Sequence, residues 1–401
     1  MDILTFLEKG YTAFHVTQNV AQYLAEKGFC PLEMGQKWQL RQGKGYFVTQ
    51  NDSALIAFKT GENKIFNVCE SHTDSPCLKI KGNGTVSGVI PRLDAERYGG
   101  GIMYSFMDRK LKIAGRLLVQ KDGKVQSKLT VSDFNVVIPS LAVHHNPNVN
   151  DNFAVNVQTD MLPLFSQGKS LYERLTQEKV LDSDLYAVPA EKPFCAGAEK
   201  EYLCGARIDN LTSVYACMQA IADCVPQNVA VAAFLDNEEV GSSTRQGSPL
   251  FLQRVLNRIE QALGMTDEQR EEARQKGMVL SVDNGHATHP AHPEKSDATF
   301  PVTLNGGVVI KHHPNYATDG LTSALLKNLL QGKVPVQDYY NRSDVRCGST
   351  LGLVTSRTLQ MKTCDVGAAQ LAMHSACETM GAKDVGYVTQ ALTEFLNASL
   401  E

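Results

Sequence analysis

Val229-Ala230-Val231-Ala232-Ala233-Phe234-Leu235-Asp236-Asn237-Glu238-Glu239-Val240-Gly241-Ser242 joins an unbroken apolar run to an acid-rich turn. A short continuous apolar run bounded by turn residues predicts a strand buried on both faces, as in a parallel sheet. Two further runs repeat the arrangement. Ile65-Phe66-Asn67-Val68-Cys69 precedes His72-Thr73-Asp74-Ser75-Pro76, and Met278-Val279-Leu280-Ser281-Val282 precedes Asp283-Asn284-Gly285-His286. Each chemistry-bearing motif falls just past a predicted strand. In open α/β sheets ligands bind outside the carboxyl ends of the strands, so the three motifs should converge on one rim.

Working outward, apolar side chains at helical spacing (Ile3, Phe6, Leu7, Phe14, Val20, Leu24) predict a helix over 3–28 with Gly28 as its stop. Further helices are expected at 210–223 and 265–276, between the strand runs. That alternation predicts an α/β fold, a mostly parallel sheet flanked by helices on both faces. Residues 84–135 change character, being rich in glycine and β-branched residues. There Leu117 to Val125 reads as a hairpin around Lys121-Asp122-Gly123-Lys124. A polar, weakly patterned stretch follows at 166–200. With 401 residues, more than one domain is expected. The simplest partition is an α/β domain in two pieces, 1–88 and 196–401, interrupted by a β-rich insertion at 89–195.

The formal net charge is −4, so bulk electrostatic attraction to nucleic acid is not the expected task. No apolar run approaches the ~18 residues of a membrane span. The first residues carry Asp2 and Glu8 and lack the order of an export signal. Ten cysteines without a Cys-x-x-Cys pair read as reduced thiols, and the cytoplasm is the expected compartment.

Each candidate also has an ordinary reading. Asp209 in Arg207-Ile208-Asp209-Asn210 would pass for a helix N-cap, Asp283-Asn284-Gly285 for a turn, and His374 in Met373-His374-Ser375 for a helix residue. In this order along the chain, the motifs together resemble the aspartyl aminopeptidase family of M18 metallopeptidases, over about residues 10–395. That family is similar to other co-catalytic dizinc exopeptidases.

The resemblance implies that His72, Asp209, Glu239, Asp283 and His374 are metal ligands. Asp209 would bridge two divalent ions, with His72 and Asp283 completing one site and Glu239 and His374 the other. Glu238 would be the general base, and Asp74 would orient His72. The chemistry of these residue types agrees. Imidazoles and carboxylates without thiolate suit Zn²⁺, Co²⁺ or Mn²⁺ in an open catalytic site. Adjacent Glu238 and Glu239 can take different roles because successive side chains diverge where a chain leaves a strand.

The resemblance also implies substrate contacts by Lys311, Tyr316 and His144, the last reaching a neighbouring subunit, with His145 the alternative. A solvated strand-end lysine is the competing reading of Lys311. His286, three residues after Asp283, could hold the scissile carbonyl or its oxyanion. Cys347 reads as a small buried filler in a loop, Asp344 to Thr350, that lines the specificity pocket in the family.

The expected function is a metalloaminopeptidase acting on short peptides, their first residue acidic or neutral. By resemblance it is a homo-oligomer of dimers assembled into a tetrahedral dodecamer. The rivals are a metal-dependent carboxypeptidase or N-acyl amino-acid deacylase, and a scaffold with a vestigial site.

Overall fold

Every side chain of Phe66–His72, Val229–Leu235 and Met278–Val282 is buried, so these strands must lie inside a sheet covered on both faces. In the computed structural model, which describes residues 1–399, they do. Phe66–His72 pairs in parallel with Val229–Leu235 on one side and with Met278–Val282 on the other. Lys362–Gly367 extends the parallel run beside Met278–Val282. Towards its margins this nine-stranded sheet becomes mixed, because Ala54–Lys59 and Val308–His312 join it antiparallel.

Alternation of side chains along a strand sends Ala230, Ala232 and Phe234 into one core and Val229, Val231, Ala233 and Leu235 into the other. The first core is closed by Ala13–Glu26, Ile208–Asp223 and Asp384–Asn397, through residues such as Val20, Leu211 and Phe395. Pro249–Ala262 and Leu351–Leu359 close the second, through Phe251, Val255 and Leu359. The expected sheet with helices on both faces is therefore what the chain forms.

The N-terminal helical pattern is broken into Ile3–Lys9 and Ala13–Glu26. Gly10 sits at the break, where an added Cβ would come within 2.6 Å of Leu211 Cδ1. A side chain there would push the first helix off the core.

A second sheet is antiparallel throughout: Arg92–Tyr98, Cys77–Val86, Val180–Pro189, Leu111–Lys121, Lys124–Val131 in spatial order. The expected hairpin closes through Asp122 and Gly123, whose φ of 51° and 73° are what a two-residue primed turn needs. The sheet has its own core of Leu78, Ile80, Leu93, Leu117 and Leu185. It starts at Cys77, ahead of the expected boundary at 89, because that strand leaves the 72–76 motif directly. Val180–Pro189 lies within the stretch that reads as unpatterned. Its first half is polar and half-exposed, and only Leu185 and Ala187–Pro189 are buried, so no alternation announces it.

A third sheet joins Phe194–Ala196, Tyr202–Gly205, Glu378–Gly381, Ala369–Leu371 and Gly285–His286. It carries no continuous apolar run, and it places the last of the candidate ligands.

Candidate metal centre

Three elements of the main sheet end side by side. His72 is the last residue of its strand, and Asp283 follows Met278–Val282 directly. Glu238 and Glu239 occupy a single 3₁₀ turn, Glu238–Val240, entered through Asn237 at φ 57°. Asp209 stands at the start of Ile208–Asp223, where it and Asn210 depart from helical backbone angles. His374 is not in a helix. It occupies the turn between Ala369–Leu371 and Glu378–Gly381 at φ 68°, which aims it back toward the main sheet.

His72 Nε2 lies 3.6 Å from Asp209 Oδ1 and 3.5 Å from Asp283 Oδ1. His374 Nε2 lies 3.1 Å from Asp209 Oδ2 and 3.3 Å from Glu239 Oε1. Asp209 thus presents one oxygen to each imidazole. Two donor triads share Asp209, His72–Asp209–Asp283 and Asp209–Glu239–His374, and a third group joins His72, Glu238 and Glu239, each with its ligand atoms within 4.8 Å of one another. Asp209 Oδ1, Glu239 Oε1 and Asp283 Oδ1 are buried and accept no hydrogen bond. Buried carboxylate oxygens without donors are costly unless a cation meets them. The donor set of oxygen and imidazole nitrogen therefore fits divalent metal.

The carboxylates make the cluster strongly attractive to a cation. Burial pushes the His72 imidazole down, but Asp209, Asp283 and Asp74 outweigh it and hold it well above its ordinary value. Burial opposes ionisation of Asp209 too, yet His374 and His72 keep its carboxyl well below the usual range. His374 is lifted to about 10, since Asp209 and Glu239 outweigh its burial. Burial pushes Glu238 up to about 7, with His72 opposing and Asp283 adding.

Asp74 does more than orient a histidine. Its Oδ1 accepts the backbone N–H of Glu238 at 3.1 Å, and its Oδ2 accepts that of Glu239 at 3.2 Å and the Tyr98 hydroxyl at 2.7 Å. His72 Nδ1 is closer to the Asp74 carbonyl oxygen, 3.0 Å, than to its carboxylate, 3.4 Å. The carboxylate chiefly pins the Glu238–Glu239 turn.

A cavity of about 500 Å³ opens over the cluster, lined by Glu238, His286, Lys311 and Tyr316 among others. Lys311 is neither solvated nor free. It is 2% exposed, donates to the Asn284 carbonyl oxygen at 2.8 Å, and sits 3.5 Å from Asp283 Oδ2. Its ammonium is 5.6 Å from the centre of the Tyr316 ring. His286 is exposed to the cavity, and desolvation by the surrounding protein together with nearby Lys311 keeps its imidazole below the ordinary value. His144 and His145 are exposed on the insertion and do not line this cavity. Cys347 is buried, as expected of a filler.

The profile of the Aminopeptidase I zinc metalloprotease (M18) family matches residues 6–175 and 169–396. The chain belongs to the M18 aminopeptidase family. The probable M18 family aminopeptidase 2 of Pseudomonas savastanoi pv. phaseolicola is 35% identical over 419 residues, covering 98% of this chain and 96% of the relative. Among solved structures, that of the Ape4 and Nbr1 complex aligns with a TM-score of 0.92 at 31% identity, over 98% of this chain and 84% of that one. The S. cerevisiae mApe1 dodecamer aligns with a TM-score of 0.84 at 25% identity, over 98% and 94%. As an M18 aminopeptidase the chain is a hydrolase of peptide bonds that depends on divalent metal, zinc by family. Among the described residues no helix is long and apolar enough to cross a membrane.

A residue that supports the cluster of this M18 aminopeptidase escaped sequence reasoning. Glu378, 1% exposed, accepts the backbone N–H of Asp209 at 3.0 Å and that of His374 at 2.6 Å. It ties the two halves of the cluster together from behind. Asn284 and Gln370 extend the link: Asn284 Nδ2 donates to Gln370 Oε1 at 2.8 Å, and Gln370 Nε2 donates to Glu378 Oε1 at 3.4 Å. Its only signal in the sequence is an acid four residues after His374.

Proposed function

We propose that this M18 aminopeptidase binds two zinc ions per subunit and removes the first residue, acidic or neutral, from short peptides. His72, Asp209 and Asp283 would hold one ion, and Asp209, Glu239 and His374 the other. The observation that carries the reading is Asp209, whose two oxygens face different histidines at 3.6 and 3.1 Å. Co²⁺ or Mn²⁺ would suit the same donors.

Bound dications supply Lewis acidity toward the scissile carbonyl and acidify water. Glu238 takes the proton of the attacking water on its carboxylate and returns it to the leaving amine nitrogen. Asp74 fixes the backbone that carries Glu238. His286, kept neutral, donates to the developing oxyanion. The substrate's free amine is matched by the carboxylates of the cluster, Glu238 or Asp283.

Lys311 acts on Asp283 rather than on a substrate acid, because its ammonium is already committed. Arg346 and Lys295 line the cavity and make no ion pair among the described residues, so either is free to select an acidic first residue. Tyr316 forms part of the wall. His144, exposed on the insertion, would reach a neighbouring subunit in a dodecamer of dimers, an assembly supported by the likeness to the mApe1 dodecamer. A division into catalytic segments 1–88 and 196–401 around a β-rich insertion at 89–195 is supported by the separate core of the second sheet, although that sheet begins at Cys77. Ten free cysteines support a reducing compartment, the cytoplasm.

The test is Glu238→Gln, assayed on aminoacyl p-nitroanilides and on N-blocked peptides with zinc counted by mass spectrometry. Turnover should fall by ~10³-fold or more with two zinc ions retained, and only free-amine substrates should be cleaved by the wild type. Unchanged turnover would remove Glu238 from the chemistry. Cleavage of blocked substrates alone would favour the carboxypeptidase or deacylase reading.

A further inference from the structure

The metal centre forms one wall of the cavity, and residues of two loops form another. Loop 313–319 contributes Tyr316, and loop 341–350 contributes Arg346, Gly348, Ser349 and Thr350. Loop 313–319 has one apolar anchor, Tyr316, packed against the small cluster of Ala287, Val302, Val309, Tyr339 and Ala369. Within 343–350 only Cys347 and Thr350 are buried. The rest of their placement has to come from polar contacts.

Those contacts meet at Asp365. It lies within Lys362–Gly367 and is fully buried. Its Oδ2 accepts the backbone N–H of Ala317 at 2.6 Å, and its Oδ1 accepts the Thr350 hydroxyl. The Asp365 backbone N–H donates in turn to Thr318 Oγ1 at 2.8 Å. One residue thus grips one loop twice and the other once. Asn315 links the loops directly, donating to the carbonyl oxygens of Cys347 at 3.1 Å and Gly348 at 3.4 Å. Gly352 closes over the carboxylate so tightly that an added Cβ would come within 2.3 Å of Asp365 Oδ1. Hydrogen bonds to a buried carboxylate are shorter and stronger than neutral ones, so this hub is stiff.

We propose that Asp365 is a positioning residue for substrate selection, its carboxylate holding loops 313–319 and 341–350 as the wall against which the first residues of the peptide lie. The proposal rests on the aminopeptidase reading above. Asp365 touches no cluster ligand through its carboxylate, so its removal should loosen the wall and leave the reacting groups in place.

The experiment compares wild type, Asp365→Ala and Asp365→Asn, each loaded with zinc, on a panel of aminoacyl p-nitroanilides. Asp365→Ala should raise KM about tenfold and flatten the ranking among first residues, with kcat within about threefold and zinc content unchanged. Asp365→Asn keeps an acceptor for Ala317 and a donor for Thr350, and should restore KM to within about threefold of wild type. Should Asp365→Ala not fold, Asn315→Ala combined with Thr350→Val frees loop 341–350 from Asp365 and from loop 313–319, and should give a KM rise in the same direction. Unaltered KM and ranking in the variant that folds would overturn the proposal. So would a loss carried by kcat or by zinc release. Wild-type turnover of the panel tests the aminopeptidase reading, whereas the variant-to-wild-type ratio tests this one, so the two fail separately.

Discussion

Asp74→Asn keeps the shape of the side chain while removing its charge and one of its two acceptor oxygens. In the native site those oxygens accept two backbone N–H groups, of Glu238 at 3.1 Å and Glu239 at 3.2 Å. A Tyr hydroxyl can rotate to suit an amide, but a backbone N–H cannot. Whichever way the asparagine amide is turned, its nitrogen faces one of those fixed donors. Loss of a hydrogen bond to a charged acceptor costs about 2 kcal/mol, which is about 30-fold in rate if it falls on the placement of Glu238. The His72 ring keeps its orientation, because its nearer Nδ1 partner, at 3.0 Å, is the Asp74 carbonyl oxygen, which the substitution leaves untouched. The expected result is a kcat about 30-fold lower, with KM and bound zinc close to wild type. Steady-state kinetics and zinc analysis on the same preparation read all three quantities. A kcat within about threefold of wild type would refute the reasoning. So would a loss matched by an equal loss of zinc, since that would place the effect on His72.

Two further outcomes follow from buried groups away from the reacting atoms. Glu378→Gln leaves one acceptor for the backbone N–H groups of Asp209 and His374, so zinc should leave the protein about 10- to 100-fold faster in chelator; an unchanged release rate would show that the clamp is not needed. His15 is depressed to about 4 by burial and then by Arg207, so its folded form prefers to be neutral while the unfolded chain takes up a proton. That contribution to stability is complete above about pH 6.5 and is lost as pH falls toward 4, about 2 to 3 kcal/mol by pH 4.5. Denaturant midpoints for wild type and His15→Gln should therefore converge on acidification, and parallel pH profiles would contradict it.

Much of the fold was legible because three central strands are buried on both faces, and such strands write themselves as unbroken apolar runs. The acids and histidines after them were legible for the same reason, since parallel strands side by side end on one rim. His374 was harder. Its neighbourhood has neither strand nor helix periodicity, and the resemblance to a family named it where pattern could not. Val180–Pro189 was missed because half of it faces water. Glu378 and Asp365 were missed because nothing local distinguishes a buried acid from an exposed one.

Local order along the chain determined which segments become central strands, where they end, and which proton-exchanging groups stand at those ends, because burial and turn formation act over a few residues. Only tertiary structure decided what those groups meet. Asp209 receives its support from Glu378, 169 positions away, and Lys311 is withdrawn from solvent to hold Asp283. Such pairings depend on through-space distance and on exclusion of water, and neither quantity exists until the sheets have closed.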